Sequence, residues 1–343
     1  MSRLSMLATG IAGIALTLTM VACGGDSGGN KETATAAPAV GVSDSPVHQV
    51  PAGTTLKFAF ITNNSSEFWK IAQKGVEKAN AELGITMDMK MPETGKPEQQ
   101  KKIIEDLISQ GYHGIAISLI SPADQTRDID KATAKLNVIT HDSDGPQSKR
   151  LVYIGTNNYE AGKVLGNELK KLLPNGGKVA AFVGTLAADN ASQRLKGVKD
   201  ALAGSKVEVV VTKEDNKDMT KARTNVEDVI NSSPDIVGFI GLWSYNTPSI
   251  VAAVKASGKA DKLTVAGFDE EDGTLQGIED GVVKATVVQK PFEFGYRSAK
   301  LLYELSTKGA SALPASPIID TGVEVVTKDN VTAFKAKLAE LKK

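Results

Sequence analysis

The chain of 343 residues is long enough for two ordinary domains, and its 41% hydrophobic and 23% charged residues are the composition of a chain that buries a core. Forty basic side chains balance forty acidic ones, so no basic excess exists to attract nucleic acid or an anionic membrane surface. The single cysteine, Cys23, excludes an intramolecular disulfide framework and any multi-cysteine metal or iron–sulfur site.

The chain opens as an export signal: Arg3, an apolar run from Leu4 to Val21, then the small residues Ala22, Cys23 and Gly24. The ending Met20-Val21-Ala22-Cys23 resembles a lipobox, in which residues 1–22 are the signal peptide and Cys23 is lipidated as the mature N-terminus. An uncleaved membrane anchor is the competing reading, because the run approaches the ~20 residues that span a bilayer. Lipidation is favoured by the sole cysteine at the cleavage position and by the tether-like segment that begins there. Residues 23–54 are mostly Gly, Ser, Ala, Thr and Pro with scattered charges and no apolar period. Such a stretch buries too little surface to offset its ordering entropy and reads as a flexible tether.

From residue 55 onward, short β-branched runs alternate with longer amphipathic ones. Strands are expected at Leu56 to Thr62, Ile85 to Met91, Gly114 to Ser118, Asn137 to Thr140 and Val152 to Ile154. More are expected at Lys178 to Val183, Val207 to Thr212, Ile236 to Ile240, Leu263 to Phe268 and Lys284 to Val288. The first intervening segment places Phe68, Ile71, Ala72, Val76, Ala79 and Leu83 on one face, begins at Asn64 with Glu67 three residues on, and ends at Gly84. That is a helix packed on a sheet, with its start and stop signals. Strands separated by helices imply an α/β fold of parallel sheets flanked by helices. So many alternations exceed one open sheet and divide into two lobes, with the break near Gly155 to Tyr159.

In such sheets ligands sit beyond the carboxyl ends of the strands, which directs attention to the residues there. After the first strand come Ser66, Phe68 and Trp69. Adjacent helical residues point about 100° apart, so one ring is free to line a cleft unless both are packing at a lobe edge. Asp142 comes after the fourth strand behind His141, and Asp269 after the Leu263 to Phe268 strand. Each carboxylate is either a turn residue or an acceptor of two ligand hydroxyls. Trp243 and Asn246 come after the Ile236 to Ile240 strand, and Asn190 lies near a helix start, as a cap or as a ligand contact. His141 is open to either a ligand contact or a structural hydrogen bond.

Other chemistry finds little footing. There is no GxGxxG, Walker or GxSxG pattern, and His48, His113 and His141 lack metal-ligand spacing. No cofactor, metal or catalytic residue is expected.

With these positions in hand, Thr54 to about Lys328 resembles the periplasmic sugar-binding proteins of the ribose-binding type. The resemblance rests on Phe58-Ala-Phe-Ile-Thr with Phe68-Trp69, Val138-Ile-Thr-His-Asp142, Gly267-Phe268-Asp269 and Ala285-Thr-Val-Val-Gln289-Lys-Pro. It implies two Rossmann-like lobes of periplasmic binding protein type I joined by three crossovers, near Gly155, Gln289 and Ile319. The lobes would be residues 55–155 with 290–318, and 156–289 with 319–328, and the last helix, within 329–343, would lie outside the cleft. It further implies that Phe68 and Trp69 sandwich a sugar beside Ser66, that Asp142, Asp269 and Gln289 take hydroxyls, and that Asn190 and Trp243 to Asn246 form the second lobe's wall. Two departures bear on the ligand. Ser143 and Ser192 stand where the ribose pattern has arginines, and Arg194 matches a neighbouring structural arginine. Serine does not replace a guanidinium donor, so the identity of the ligand stays open.

The function implied is capture of a monosaccharide or related polyol by a monomeric lipoprotein in the periplasm or at the cell surface, and delivery to an ABC permease and its ATPase. A sugar-sensing component for a chemoreceptor or sensor kinase is the alternative, and a sugar-active enzyme a weaker one.

Overall fold

The computed structural model describes residues 45–66 and 68–341. The expected signal, Cys23, the tether as far as residue 44, and Glu67 lie outside the described residues.

The first lobe is built from β1 (Lys57–Ile61), α1 (Phe68–Leu83), β2 (Thr86–Lys90), α2 (Pro97–Ser109), β3 (Gly114–Ile117), α3 (Pro122–Thr133), β4 (Asn137–His141) and β5 (Tyr153–Gly155). The second runs through α4 (Asn158–Leu172), β6 (Gly177–Val183), α5 (Asp189–Leu202), β7 (Val207–Glu214), α6 (Met219–Ser232), β8 (Ile236–Gly241), α7 (Asn246–Ala256), β9 (Thr264–Phe268), α8 (Asp272–Glu279) and β10 (Val283–Val288). The chain then adds α9 (Pro291–Lys308), β11 (Ile318–Asp320), β12 (Glu324–Val326) and α10 (Val331–Leu341). The strands expected from sequence are present, with ends shifted by no more than a residue or two. The three-residue β11 and β12 are too short to show a period and were not expected.

The two sheets share one order. The first is β11-β5-β4-β3-β1-β2 and the second β12-β10-β9-β8-β6-β7. All pairs are parallel except β12 against β10. Central strands such as β3 and β4 are buried along their whole length, the continuous apolar pattern of a sheet covered on both faces. In each sheet the strand order reverses between the first strand and its neighbour, β1/β3 and β6/β8, which opens a crevice at the carboxyl ends.

The chain leaves the first sheet after β5 and returns to it after β10, where α9 packs against α1 and β11 pairs with β5. The third crossing lies between Asp320 and Glu324, because Ile319 is still paired with Ile154 in the first sheet. α10 packs on α8 of the second lobe through buried Val331 and Leu338, and Lys335 reaches Glu279 at 2.9 Å. Among the described residues no helix is long and apolar enough to cross a membrane.

Residues 45–54, read as the end of the tether, are fastened along the first lobe. The His48 main-chain N–H donates to Asn137 Oδ1 at 2.9 Å, Asn137 Nδ2 donates to His48 O at 2.9 Å, and the Val50 N–H donates to Ser306 O at 2.9 Å. Val47 and Val50 pack on the core. Composition hid this, because two valines and one histidine suffice when the partner, Asn137, is a buried amide that needs hydrogen bonds.

Candidate ligand-binding site

The crevices of the two sheets face one another across a small cavity. Its floor on the first lobe begins where β1 ends. Asn64 Oδ1 accepts from the Ser66 N–H at 2.9 Å and from Trp69 Nε1 at 3.1 Å, so the amide fixes both the turn and the indole at the start of α1. Phe68 and Trp69 meet edge to face, 5.0 Å between centroids and 86° between planes, and both line the cavity.

Asp142 stands immediately after β4 with φ 55°, and Asp269 immediately after β9 with φ 68°. Aspartate tolerates this left-handed region better than most residues, and the turn aims each carboxylate off its strand end into the cavity. Asp142 Oδ2 accepts from Ser118 Oγ at 2.7 Å and Asn63 Nδ2 at 3.1 Å, while its Oδ1 accepts from Asn190 Nδ2 of the opposite lobe at 3.1 Å. Asp269 Oδ1 accepts from Gln289 Nε2 at 2.8 Å, and Arg194 Nη1 lies 3.8 Å from its Oδ2. Arg194 is clamped by Asn158 Oδ1 at 2.9 Å, by Leu242 O at 2.8 Å and by the Phe268 ring 4.3 Å beneath it. Asn158 also donates to Asp142 O at 3.1 Å, so one amide links the first lobe's carboxylate residue to the second lobe's guanidinium.

Two buried polar atoms that line this space have no hydrogen-bond partner among the described residues: Arg194 Nη2, a donor, and Gln289 Oε1, an acceptor. Buried groups of this kind are costly unless a ligand satisfies them. They flank Asp269 in the cavity that the aromatic pair also lines.

A model of the periplasmic binding protein domain matches residues 58–310. The chain belongs to the periplasmic binding protein family. It is 28% identical over 304 residues to the xylose/arabinose-binding protein XylF of Sulfolobus acidocaldarius, covering 83% of this chain and 74% of that one. It is 25% identical over 276 residues to the ribose import binding protein RbsB of Salmonella typhimurium, covering 79% and 91%. Among solved structures, an ABC transporter solute-binding protein from Burkholderia graminis in complex with D-arabinose is 32% identical with a TM-score of 0.78, over 83% of this chain and 99% of that one.

In this periplasmic binding protein Ser66, Phe68, Trp69, Asp142, Asn190, Trp243, Asp269 and Gln289 line one cavity, together with Asn63, Asn64, Arg194 and Ser244. His141 and Asn246 do not. His141 is fully buried behind Trp69, stacked on Phe60 at 3.9 Å and 16°, and its ring meets Trp69 edge-on at 5.4 Å. Burial pushes its pKa down to about 3, so it is a neutral packing ring. Asn246 is turned away at the start of α7, donating to Asp215 Oδ2 at 2.8 Å and accepting from the Trp243 N–H at 3.1 Å. Asn63 and Asn64 sit at a strand end, where the same positional rule that singles out Ser66 reaches them. Arg194 lies one helical turn beyond Asn190, four residues on and hence on the same face, so it lines the cavity as well as bracing Asn158, Leu242 and Phe268.

Burial raises the pKa of both cavity carboxylates, against the lowering influence of Arg194. Asp142 is shifted upward, and Asp269 rises to about 6. The site therefore holds acceptors that hydrogen-bond donors must stabilise, a ring face, one guanidinium donor and one amide acceptor.

Proposed function

We propose that this binding protein is an exported lipoprotein, anchored through Cys23, that captures a monosaccharide or related polyol between its lobes and delivers it to an ABC importer. The observation that carries the ligand class is the pair of unpartnered buried atoms, Arg194 Nη2 and Gln289 Oε1, beside Asp269 in the cavity that Phe68 and Trp69 also line. A hydroxyl both donates and accepts, so a polyhydroxylated ring satisfies the guanidinium, the amide oxygen and the carboxylates together, while its C–H face rests on an aromatic ring. The relatives named for xylose, arabinose and ribose support the same class. Asp142, Asp269 and Gln289 act as hydrogen-bond partners of the ligand. Phe68 and Trp69 supply stacking, Ser66, Asn63 and Asn64 shape the first wall, and Asn190, Arg194, Trp243 and Ser244 form the second. The protein acts as a monomer in the periplasm or at the cell surface, and lobe closure is what the permease reads.

The test is thermal unfolding of residues 45–343 against pentoses, hexoses, polyols and small non-sugars. A ligand at about a thousand times its Kd adds roughly 4 kcal/mol of stability. A shift with sugars of one stereochemical series is expected. Absence of any shift with sugars, in folded protein, removes the reading.

A further inference from the structure

The second lobe's wall is built around a large side chain that cannot move aside. Trp243 is buried and lines the cavity. Its ring lies over Gly184, where a Cβ would come within 2.0 Å of Cζ3, so the strand end must be glycine for the indole to lie there. Its Nε1 donates to Asn190 Oδ1 at 3.1 Å, its main-chain N–H donates to Asn246 Oδ1 at 3.1 Å, and Tyr245 meets its edge at 6.2 Å and 73°. Tyr245 is itself held by Asp215, its hydroxyl donating to Oδ1 at 2.7 Å. A rotation of the indole would break the Asn190 bond and drive the ring into packed neighbours.

Around the indole, two polar groups of this wall are already engaged. The indole N–H of Trp243 is used on Asn190, and the amide of Asn190 is used on Trp243 and, across the cleft, on Asp142. The unpartnered donor and acceptor, Arg194 Nη2 and Gln289 Oε1, lie beside Asp269. A ring substituent that reaches Trp243 meets the apolar face of an indole held by Asn190 and Tyr245.

We infer that Trp243 sets an upper size limit on the ligand, so that the site takes a pentose in its pyranose form and discriminates against the hexose that differs from it only by an exocyclic hydroxymethyl group. The inference rests on the proposed sugar-binding function. The added arm contains one methylene and one hydroxyl. On the Trp243 side, accommodating it requires displacement of the indole. Exclusion of a single small group by a packed pocket is worth about 10- to 200-fold in affinity.

The experiment uses matched pairs that share ring stereochemistry: D-xylose with D-glucose, L-arabinose with D-galactose, D-arabinose with L-galactose, D-ribose with D-allose, and D-lyxose with D-mannose. Calorimetric Kd values are measured for the native protein and for Trp243→Leu and Trp243→Phe, each checked by its melting curve. In whichever pair binds, the pentose should bind at least about tenfold tighter. In the folded variants that ratio should narrow, mainly through tighter hexose binding, an effect that a general loss of packing would not produce. A native protein that binds the hexose as well as the pentose overturns the size limit whether or not the variants fold. A ratio unchanged in a folded variant overturns the assignment to Trp243. Binding of no sugar in any pair overturns the underlying sugar-binding function instead.

Discussion

Asn190 donates a hydrogen bond from Nδ2 to Asp142 Oδ1, 3.1 Å away on the opposite lobe. The same amide accepts from Trp243, so a side chain of α5 ties together the first lobe's carboxylate and the second lobe's indole. Replacing Asn190 by Ala should therefore loosen the closed arrangement as well as the wall. Ligand affinity is expected to fall about tenfold or more, as removal of a bond to a charged group costs roughly 1.5–3 kcal/mol. Stopped-flow kinetics should place most of the loss in the dissociation rate. A Kd equal to that of the native protein would mean that the bond makes no contribution to retention.

Asp269 is the carboxylate against which both Gln289 and Arg194 are arranged. Its replacement by Ala removes the acceptor and leaves a buried guanidinium without its nearest counter-charge, a change that costs about 2–5 kcal/mol where such pairs have been truncated. Sugar binding should become undetectable at concentrations that saturate the native protein. Calorimetry that finds a native Kd would remove Asp269 from the ligand contacts.

The raised pKa of Asp269, about 6, gives two pH dependences of opposite sign. The folded protein holds this proton more tightly than the unfolded chain does. Its contribution to stability is therefore fully present below about pH 4 and is lost as the pH rises through about 6. With Asp269 accepting from sugar hydroxyls in its ionised form, as proposed, affinity should rise as the pH passes through about 6, by about tenfold from pH 5 to 7, and level off above it. Calorimetry in buffers of differing ionisation enthalpy would register the proton released on binding. A Kd independent of pH from 5 to 7 would contradict the assignment.

Asn64 Oδ1 holds the Trp69 indole and the Ser66 N–H at once. Asn64→Ala leaves an indole donor without its acceptor in a nearly dry environment, at a cost of about 1–3 kcal/mol. Both the melting temperature and the affinity should drop. Fluorescence of Trp69, read in a Trp243→Phe background, should shift as the ring loses its restraint. An unchanged spectrum and melting curve would show that the packing of Phe60, Phe68 and His141 alone fixes the ring.

A chain starting at Thr54 should melt several degrees below one starting at Ser45. It loses the paired bonds between His48 and Asn137, each worth about 1 kcal/mol, and the packing of Val47 and Val50. Equal melting curves would show that the strap is bound only marginally.

The alternation of strands and helices was legible because buried parallel strands and amphipathic helices have different periods, and the strand-end rule reached both carboxylates without tertiary information. What it could not settle is orientation. His141 and Asp142 are adjacent in sequence, yet one is the last residue of β4 and points into the layer behind Trp69, while the other turns through a left-handed φ into the cavity. Asn246 and Trp243 are similarly close, but the first residue of α7 turns its amide to Asp215. Arg194 was hidden by a different cause. Its role depends on the close approach of α4 and α5, allowed where a Cβ on Gly162 would meet Arg194 O at 2.2 Å, and that spacing sets Asn158 against the guanidinium.

The strap bears on how the molecule carries load. Ser45 to Val50 are bonded to Lys149, Asn137, Thr133, Thr307 and Ser306, all residues of the first lobe. A pull transmitted from the chain before Ser45 is taken up by that lobe alone, and it passes along the back of β4 and α9 without crossing the cleft. The second lobe hangs from the three crossings and bears none of the tension. Closure as proposed would then be the swing of the second lobe against a first lobe held by the strap.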